Sequence, residues 1–248
     1  MTSGPISMAF MPFALLLLLA AAAPTTAKEL NSAGMDKYKA RLLVEAIGLF
    51  QQAIEAGEKD APLSTREKVE RNKTLALAHF NHACAQSLLR KAGRVCDGDS
   101  YRSAITGHLE KSVLLDPNRL DRVVADKDLE SIRDTLAYQS MLGLSVKREK
   151  DLPALLARVR WWSPGVGAFG SLSQLSFAAS GAVTELAREV DPEGGQEKKT
   201  TLKGKWLLTG RKLSLTVEGK TREGTFTEDG TLILGGVTYR DEPSECGA

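Results

Sequence analysis

The pattern of apolar residues in this 248-residue chain changes near Lys150, and that change constrains the fold more than any other feature. Before it, apolar residues recur at spacings of three and four, which is typical of helices with one buried face. After it, apolar and polar residues alternate between glycine-containing turns, which is typical of antiparallel strands. The sequence therefore predicts an α+β protein, with a helical module over 28–150 and a β module over 151–240.

The first segment, Met1–Ala27, has the composition of a secretion signal. Its apolar run, Met8–Ala23, contains 16 residues, whereas a membrane-spanning helix needs about 20. Small residues permit cleavage after Ala23 or after Ala27, and Lys28 favours the second site. No Lys or Arg precedes the run, so an uncleaved anchor or a buried helix is the alternative. We expect a periplasmic or extracellular protein that meets a membrane only during export.

Three helices are predicted between about Met35 and Met141. The first carries an apolar face and ends at Gly57, while Ser64 and Glu67 have the spacing of a capping box that opens the second helix. The second ends near Lys91. The third helix starts near Tyr101 and stops at Asp116-Pro117, because proline cannot continue a helix and restricts the residue before it. The apolar residues of the first helix are Leu42, Leu43, Ala46, Ile47, Phe50, Ala53 and Ile54.

The stretch from Ala76 to Pro117 resembles a tetratricopeptide repeat. The residues that carry the resemblance are Phe80-Asn81-His82-Ala83, Ile105, Leu109, Ser112 and Asp116-Pro117. The resemblance implies that Ala83 lets two helices approach closely and that Leu109 fills the large packing position. Ala46, Phe50 and Ala53 match the second helix of a preceding repeat, and a short capping helix is expected over Asp126–Arg133. About ten extra residues, Lys91–Ser100, depart from the 34-residue unit, so a plain helical bundle is the alternative.

The resemblance also implies a function. Paired helices of this family leave a groove that takes a protein or peptide segment. The residues expected to face solvent along the first helix of the pair, and so to contact the partner, are Asn81, Gln86 and Arg90, with Lys73 at the entrance.

The second half of the chain predicts an antiparallel meander. Turn pairs of the type found in hairpins occur at Ser180-Gly181, Thr209-Gly210, Glu218-Gly219 and Asp229-Gly230. Gly204-Lys205-Trp206 and the repeated hairpin units are similar to half of a lipocalin-type barrel. The alternative function is that of a carrier in which the β module encloses a small apolar ligand. Alternation such as that in Lys212–Val217 instead favours a sheet with one wet face. The candidate strands are Gln174–Phe177, Val183–Ala187, Gly204–Leu208, Lys212–Val217, Gly224–Thr227, Thr231–Leu234 and Gly236–Tyr239, and the tail Asp241–Ala248 is expected to be unstructured.

Trp161 and Trp162 form the most conspicuous aromatic cluster. In a strand their rings would face opposite sides, so one enters the core while the other is exposed or covers the helical module. The exposed ring would be part of a ligand platform, and a covered ring would be a packing contact between the modules.

Among the three cysteines, Cys84 and Cys96 are the pair that is close in sequence, and Cys246 lies in the tail. An oxidising compartment favours a disulfide. We therefore predict a Cys84–Cys96 disulfide that keeps the inserted segment ordered.

No motif predicts catalysis or a bound cofactor. His79 and His82 share a helix face, but a metal site needs a further ligand there, so packing is the favoured interpretation. Asp97-Gly98-Asp99 is too short for a calcium loop. The glycines of Gly165–Gly170 are spaced G-x-G-x-x-G, but the strand and helix of a dinucleotide site do not flank them. All three histidines lie in the helical half, so a Ser-His-Asp site in the β module lacks its base.

The charge balance bears on partners. The net charge is +2, and there is no patch that combines aromatic and basic residues as single-strand binders do. We therefore expect no nucleic acid, no metal and no cofactor, and a protein or peptide as the partner of a non-catalytic binding protein.

Overall fold

A computed structural model describes residues 25–59, 61, 64–94, 101–163, 172–190 and 197–242. Helices form the N-terminal part and an eight-stranded antiparallel sheet forms the C-terminal part, so the predicted mixture of α and β is confirmed at this level. Most of the predicted signal segment lies outside the described residues. None of the helices within these ranges has both the length and the hydropathy to cross a membrane.

Each long helix packs on the next one along the chain. The described helices are α1 (Ala27–Lys39), α2 (Leu43–Lys59), α3 (Thr65–Lys91), α4 (Arg102–Leu115), α5 (Leu120–Ala125), α6 (Leu136–Met141) and α7 (Leu152–Arg158), with 3-10 turns at Pro117–Arg119, Lys127–Ile132 and Glu149–Asp151.

The predicted end of the first helix at Gly57 is wrong, because α2 continues to Lys59. Gly57 lies against α3, where an added Cβ would come 2.8 Å from Cδ2 of Leu75. The glycine therefore serves a close approach of two helices and does not end α2.

Helix α1, Ala27–Lys39, was not among the three predicted helices. Thr26 caps it by accepting a hydrogen bond from the Glu29 amide, and the Glu29 carboxylate accepts from the Thr26 amide in return. The two residues form a capping box. Gly34 faces α2, where an added Cβ would lie 2.6 Å from Cε1 of Phe50.

The starts of α3 and α4 agree with prediction to within a residue. Ser64 accepts a hydrogen bond from the Glu67 amide at 3.3 Å, as an N-cap does. Ala83 and Leu109, the pair expected to pack, are both fully buried and belong to one apolar cluster between α3 and α4.

The sheet is a meander in which every strand pairs with the next in antiparallel orientation. Backbone hydrogen bonds of 2.7 and 2.8 Å between Trp162 and Arg240 join the first strand to the residue after the last, so the sheet nearly closes into a barrel. The predicted strand Lys212–Val217 is confirmed, and most of the others are longer than predicted. The strands are β1 (Arg160–Trp162), β2 (Leu172–Phe177), β3 (Ala182–Val190), β4 (Glu197–Thr209), β5 (Lys212–Val217), β6 (Lys220–Phe226), β7 (Leu232–Leu234) and β8 (Val237–Tyr239).

The inside of the barrel holds the largest apolar cluster of the described residues. Alternate residues of β5 are buried, as expected for a sheet with one wet face. Helix α7 contributes Leu152, Leu155 and Leu156 to the same cluster, so this helix packs with the sheet.

The prediction of an unstructured tail is wrong for its first two residues. Asp241 accepts a hydrogen bond from the Leu136 amide at 2.7 Å, and Glu242 accepts from the amides of Arg102 and Ser103. Residues 243–248 lie outside the described residues. The end of β8 is thereby attached to α4 and α6.

Candidate functional site

Helices α3 and α4 bring all three histidines of the chain together. His79 and His82 lie one turn apart on α3, and His108 faces them from α4. The Nδ1 atoms of His79 and His108 are 2.9 Å apart, and the His82 ring stacks on the His108 ring with centroids 4.0 Å apart. His108 is therefore the third member of the cluster. The sequence alone did not predict that it lies beside His79 and His82.

Burial lowers the pKa of two of the three histidines, His79 and His108. Burial is the largest cause that lowers the pKa of His79, to about 4, and the positive charge of Lys111 lowers it further. Burial also lowers the pKa of His108 well below its usual range. One Nδ1 must donate and the other accept in the contact between His79 and His108, so both rings cannot be protonated without repulsion.

The geometry of the cluster is not that of a metal centre. The rings of His82 and His108 are nearly parallel, at 22°, and ligand lone pairs lie in the ring planes, so the two rings cannot point to one ion between them. In the part of the chain that the structure describes, no group of three or more His, Cys, Asp or Glu side chains is placed to hold a metal ion.

An open cleft begins at His79. It has a volume of about 280 Å³ and lies between the end of α2, the first half of α3 and the end of α4. We call it the helical cleft. It is lined by Glu58, Arg71, Asn72, Leu75, His79, Lys111, Leu114 and Leu115.

The helical cleft combines an apolar floor with a charged rim. Leu75 is buried and Leu115 is half-buried, whereas 82% of the Leu114 surface is exposed. An exposed leucine beside an apolar floor offers an anchor for an apolar side chain, and surrounding charges fix orientation. The rim carries two basic residues, Arg71 and Lys111, and one acidic residue, Glu58. Its net positive charge favours a ligand segment that carries negative charge.

The groove residues predicted on α3 do not form one surface. Asn81 and Gln86 are 7% and 1% exposed, so the prediction that they face solvent is wrong. Asn81 Nδ2 donates to Asn31 Oδ1 at 3.0 Å, because α1 covers this face of α3. Helix α1 was not predicted, so the face of α3 that carries Asn81 was wrongly expected to be exposed.

Lys73 and Arg90 have different surroundings. Lys73 is exposed, as predicted, and pairs with Glu70 at 3.0 Å. The Arg90 side chain is only 9% exposed, and its Nη1 lies 3.9 Å from Glu242 Oε1. The two residues are about 25 Å apart along the helix, so they do not contribute to one short groove.

Both tryptophans of the aromatic pair are buried. Trp161 lies in the barrel core, where its ring meets Phe226 edge-on at 5.2 Å. Trp162 is 7% exposed, and its Nε1 has no hydrogen-bond partner among the described residues. Neither ring is an exposed ligand platform, because both are buried. The packing contact between the modules stays a prediction.

The Cys84 side chain is buried, and its Sγ lies 3.9 Å from Oδ2 of Asp126. Burial raises the pKa of this thiol, and the nearby carboxylates of Asp126 and Asp128 raise it further. Cys96 and Cys246 lie outside the described residues, so the Cys84–Cys96 disulfide stays a prediction.

The helical cleft was not predicted from the sequence, although its residues carry a detectable spacing. Arg71, Leu75 and His79 recur every four residues on α3, and Lys111, Leu114 and Leu115 share a face of α4. Leu114 and Leu115 both fit the pattern of a buried helix face, so the pattern did not indicate that Leu114 is exposed. Comparison of the chain with protein-family models, curated proteins and solved structures found no match.

Proposed function

We propose that this chain is an exported, non-catalytic binding protein that holds a segment of a partner protein or peptide in the helical cleft. The observation that carries the proposal is Leu114, an almost fully exposed leucine beside the floor made by Leu75 and Leu115. A cleft of this size accepts one or two side chains of a partner segment. The resemblance of α3 and α4 to a tetratricopeptide repeat supports the same kind of partner.

The rim specifies the partner further. Arg71 and Lys111 favour an acidic residue next to the apolar anchor of the bound segment. The contact area is small, so the affinity is weak, roughly micromolar or about −8 kcal/mol.

A matched pair of variants tests the proposal. Leu114→Asp places a charge in the helical cleft, and Leu207→Asp does the same at a leucine of β4 that is 67% exposed on the outside of the barrel. Peptides selected from a random display library on the full chain are measured by fluorescence anisotropy against both variants. Leu114→Asp should weaken binding about tenfold or more, while Leu207→Asp should not.

Two results would overturn the proposal. One is a set of selected peptides that bind Leu114→Asp as tightly as the unchanged chain. The other is a selection that enriches no peptide at all. Melting temperatures of the two variants should agree, because both replaced side chains face solvent.

A second candidate function is the carriage of a small apolar ligand by the barrel. The near closure of the sheet through Trp162 and Arg240 favours it, since such barrels can enclose ligands. The cluster of large side chains inside, including Trp161 and Phe226, argues for a filled interior instead. An apolar fluorescent probe that binds the full chain and is not displaced by cleft peptides would favour the carrier.

A further inference from the structure

Strand β4 is longer than its neighbour β5, so part of its edge lies beside no other described strand. Strand β3 pairs with β4 up to the first residue of β4, whereas β5 pairs only with Gly204–Thr209. The turn at Glu218-Gly219, whose φ angles are 49° and 75°, reverses the chain and ends β5 there. On the side away from β3, no strand of the described ranges pairs with residues 198–203, and we call these residues the open edge.

The open edge can form the backbone hydrogen bonds of a further strand. In an antiparallel ladder, residues turn their N–H and C=O groups alternately to the two sides, so every second residue of the open edge directs them away from β3. The edge is about 17 Å long. An accessible edge of this kind is a template for an added strand. Lys198, Lys199, Thr200, Thr201 and Lys203 are exposed, and Leu202 is half-buried.

The charges of the open edge select among possible strands. Three of its six residues are lysines, and none is acidic. On β3, Arg188 lies opposite Lys199, and Glu189 lies opposite Lys198. The edge and the strand behind it therefore carry a net positive charge. Lysines on an edge discourage pairing with neutral or basic strands, whereas complementary charge favours an acidic one.

A second copy of this chain fits the open edge poorly. Two open edges that paired with each other would bring six lysines together along one ladder. Like charges that face each other across two strands are destabilising. The charge pattern therefore favours a different chain as the occupant.

We propose that the open edge of β4 binds an extended acidic segment of a partner protein, which joins the sheet as an additional strand. Backbone hydrogen bonds attach the segment, and the lysines select its acidic side chains. The helical cleft is formed by α2, α3 and α4, whereas the open edge belongs to β4. This second surface is therefore independent of the proposed function of the cleft.

The experiment uses the full chain and two peptides of equal charge. The probe is a labelled, acetylated and amidated heptapeptide in which glutamate alternates with valine. The control peptide has the same sequence but is N-methylated at every amide, so it cannot donate the hydrogen bonds of a ladder. Fluorescence anisotropy at low ionic strength gives the affinity, and hydrogen exchange of the amides of residues 198–203 reports the place of binding.

Two variants separate the open edge from general attraction between charges. Lys203→Glu reverses a charge on the open edge, and Lys212→Glu reverses one at an exposed position of β5, which has a partner strand on both sides. Lys203→Glu should weaken the probe about fivefold or more, while Lys212→Glu should weaken it less than about twofold. The N-methylated peptide should not bind. Equal losses in the two variants, or equal affinity for the two peptides, would overturn the proposal.

Hydrogen exchange in the unchanged chain gives an answer that does not depend on the folding of any variant. Without probe, the amides of the open edge that point away from β3 should exchange rapidly, and saturating probe should slow them. Sedimentation should show a monomer under the same conditions. Exchange that the probe does not slow would contradict strand addition, and a dimer with slow exchange in the absence of probe would make a second copy the occupant.

Discussion

Glu185 and Arg222 pair across the inside of the barrel. Their strands, β3 and β6, are separated in the sheet by β4 and β5, so the contact passes through the interior. Arg222 Nη1 donates to Glu185 Oε1 at 3.2 Å, and Ser173 donates to the same oxygen at 2.7 Å. The pair thus connects β3 with β6 beside the apolar cluster of the barrel.

Breaking this pair should be costly. Glu185→Ala leaves the Arg222 charge inside the barrel, and we expect a loss of about 3 kcal/mol in the free energy of unfolding, measured by urea denaturation. Lys91→Ala breaks an exposed pair, Lys91 with Glu130 at 2.5 Å, and should cost less than about 1 kcal/mol. Equal losses in the two variants would show that the inner pair is open to water.

The histidine cluster should make stability depend on pH. The pKa of His79 is lowered in the folded chain from 6.5 to about 4, so below pH 6.5 the unfolded chain binds more protons than the folded one. Stability is therefore complete above about pH 6.5 and falls toward pH 4, by at most about 1.4 kcal/mol per histidine and pH unit.

His108→Gln tests this dependence because it removes one titrating ring from the cluster. Urea denaturation of both chains at intervals between pH 7 and pH 4 gives the two slopes. The slope should be smaller in His108→Gln, and carboxylates that titrate in this range affect both chains alike. Identical slopes would place the pH dependence outside the cluster.

Asn81 should be structural. Asn81→Ala leaves the buried Asn31 oxygen without its donor, and we expect a loss of about 1–3 kcal/mol of unfolding free energy. Lys73→Ala, at an exposed position of the same helix, should change stability by about 0.5 kcal/mol or less. Thermal denaturation distinguishes the two variants. An unchanged melting temperature for Asn81→Ala would show that Asn81 is not structural and would again make it a candidate binding residue.

Two glycine-to-alanine changes should act in opposite directions. In β6, a Cβ at Gly224 would lie 2.1 Å from the backbone oxygen of Ile233, so Gly224→Ala should cost about 1–3 kcal/mol. In α2, nothing lies within 4 Å of a Cβ at Gly48, so Gly48→Ala should stabilise by about 0.5–1 kcal/mol. A urea midpoint for Gly224→Ala that is unchanged or raised would contradict the close approach of β6 and β7.

The local pattern of the sequence determined the secondary structure where neighbours along the chain decide it. The alternation in Lys212–Val217 predicted β5, and the glycine turns at Gly181, Gly210, Gly219 and Gly230 do have positive φ angles of 84°, 58°, 75° and 87°. Pro117 predicted the end of α4, and the Ser64 N-cap predicted the start of α3, for the same reason. These features depend on a few consecutive residues, whose conformational preferences act before any long-range contact forms.

Only the tertiary structure decided which faces are covered. The burial of Asn81 follows from α1, 50 residues earlier in the sequence, and the cap of α4 comes from Glu242, 140 residues later than Arg102. His108 joins His79, and Arg222 reaches Glu185, only because packing brings separate elements together. Helix and strand periodicity shows that an element has an apolar face. Which neighbour covers that face depends on the arrangement of all elements, and this arrangement is set by the burial of apolar surface over the whole chain.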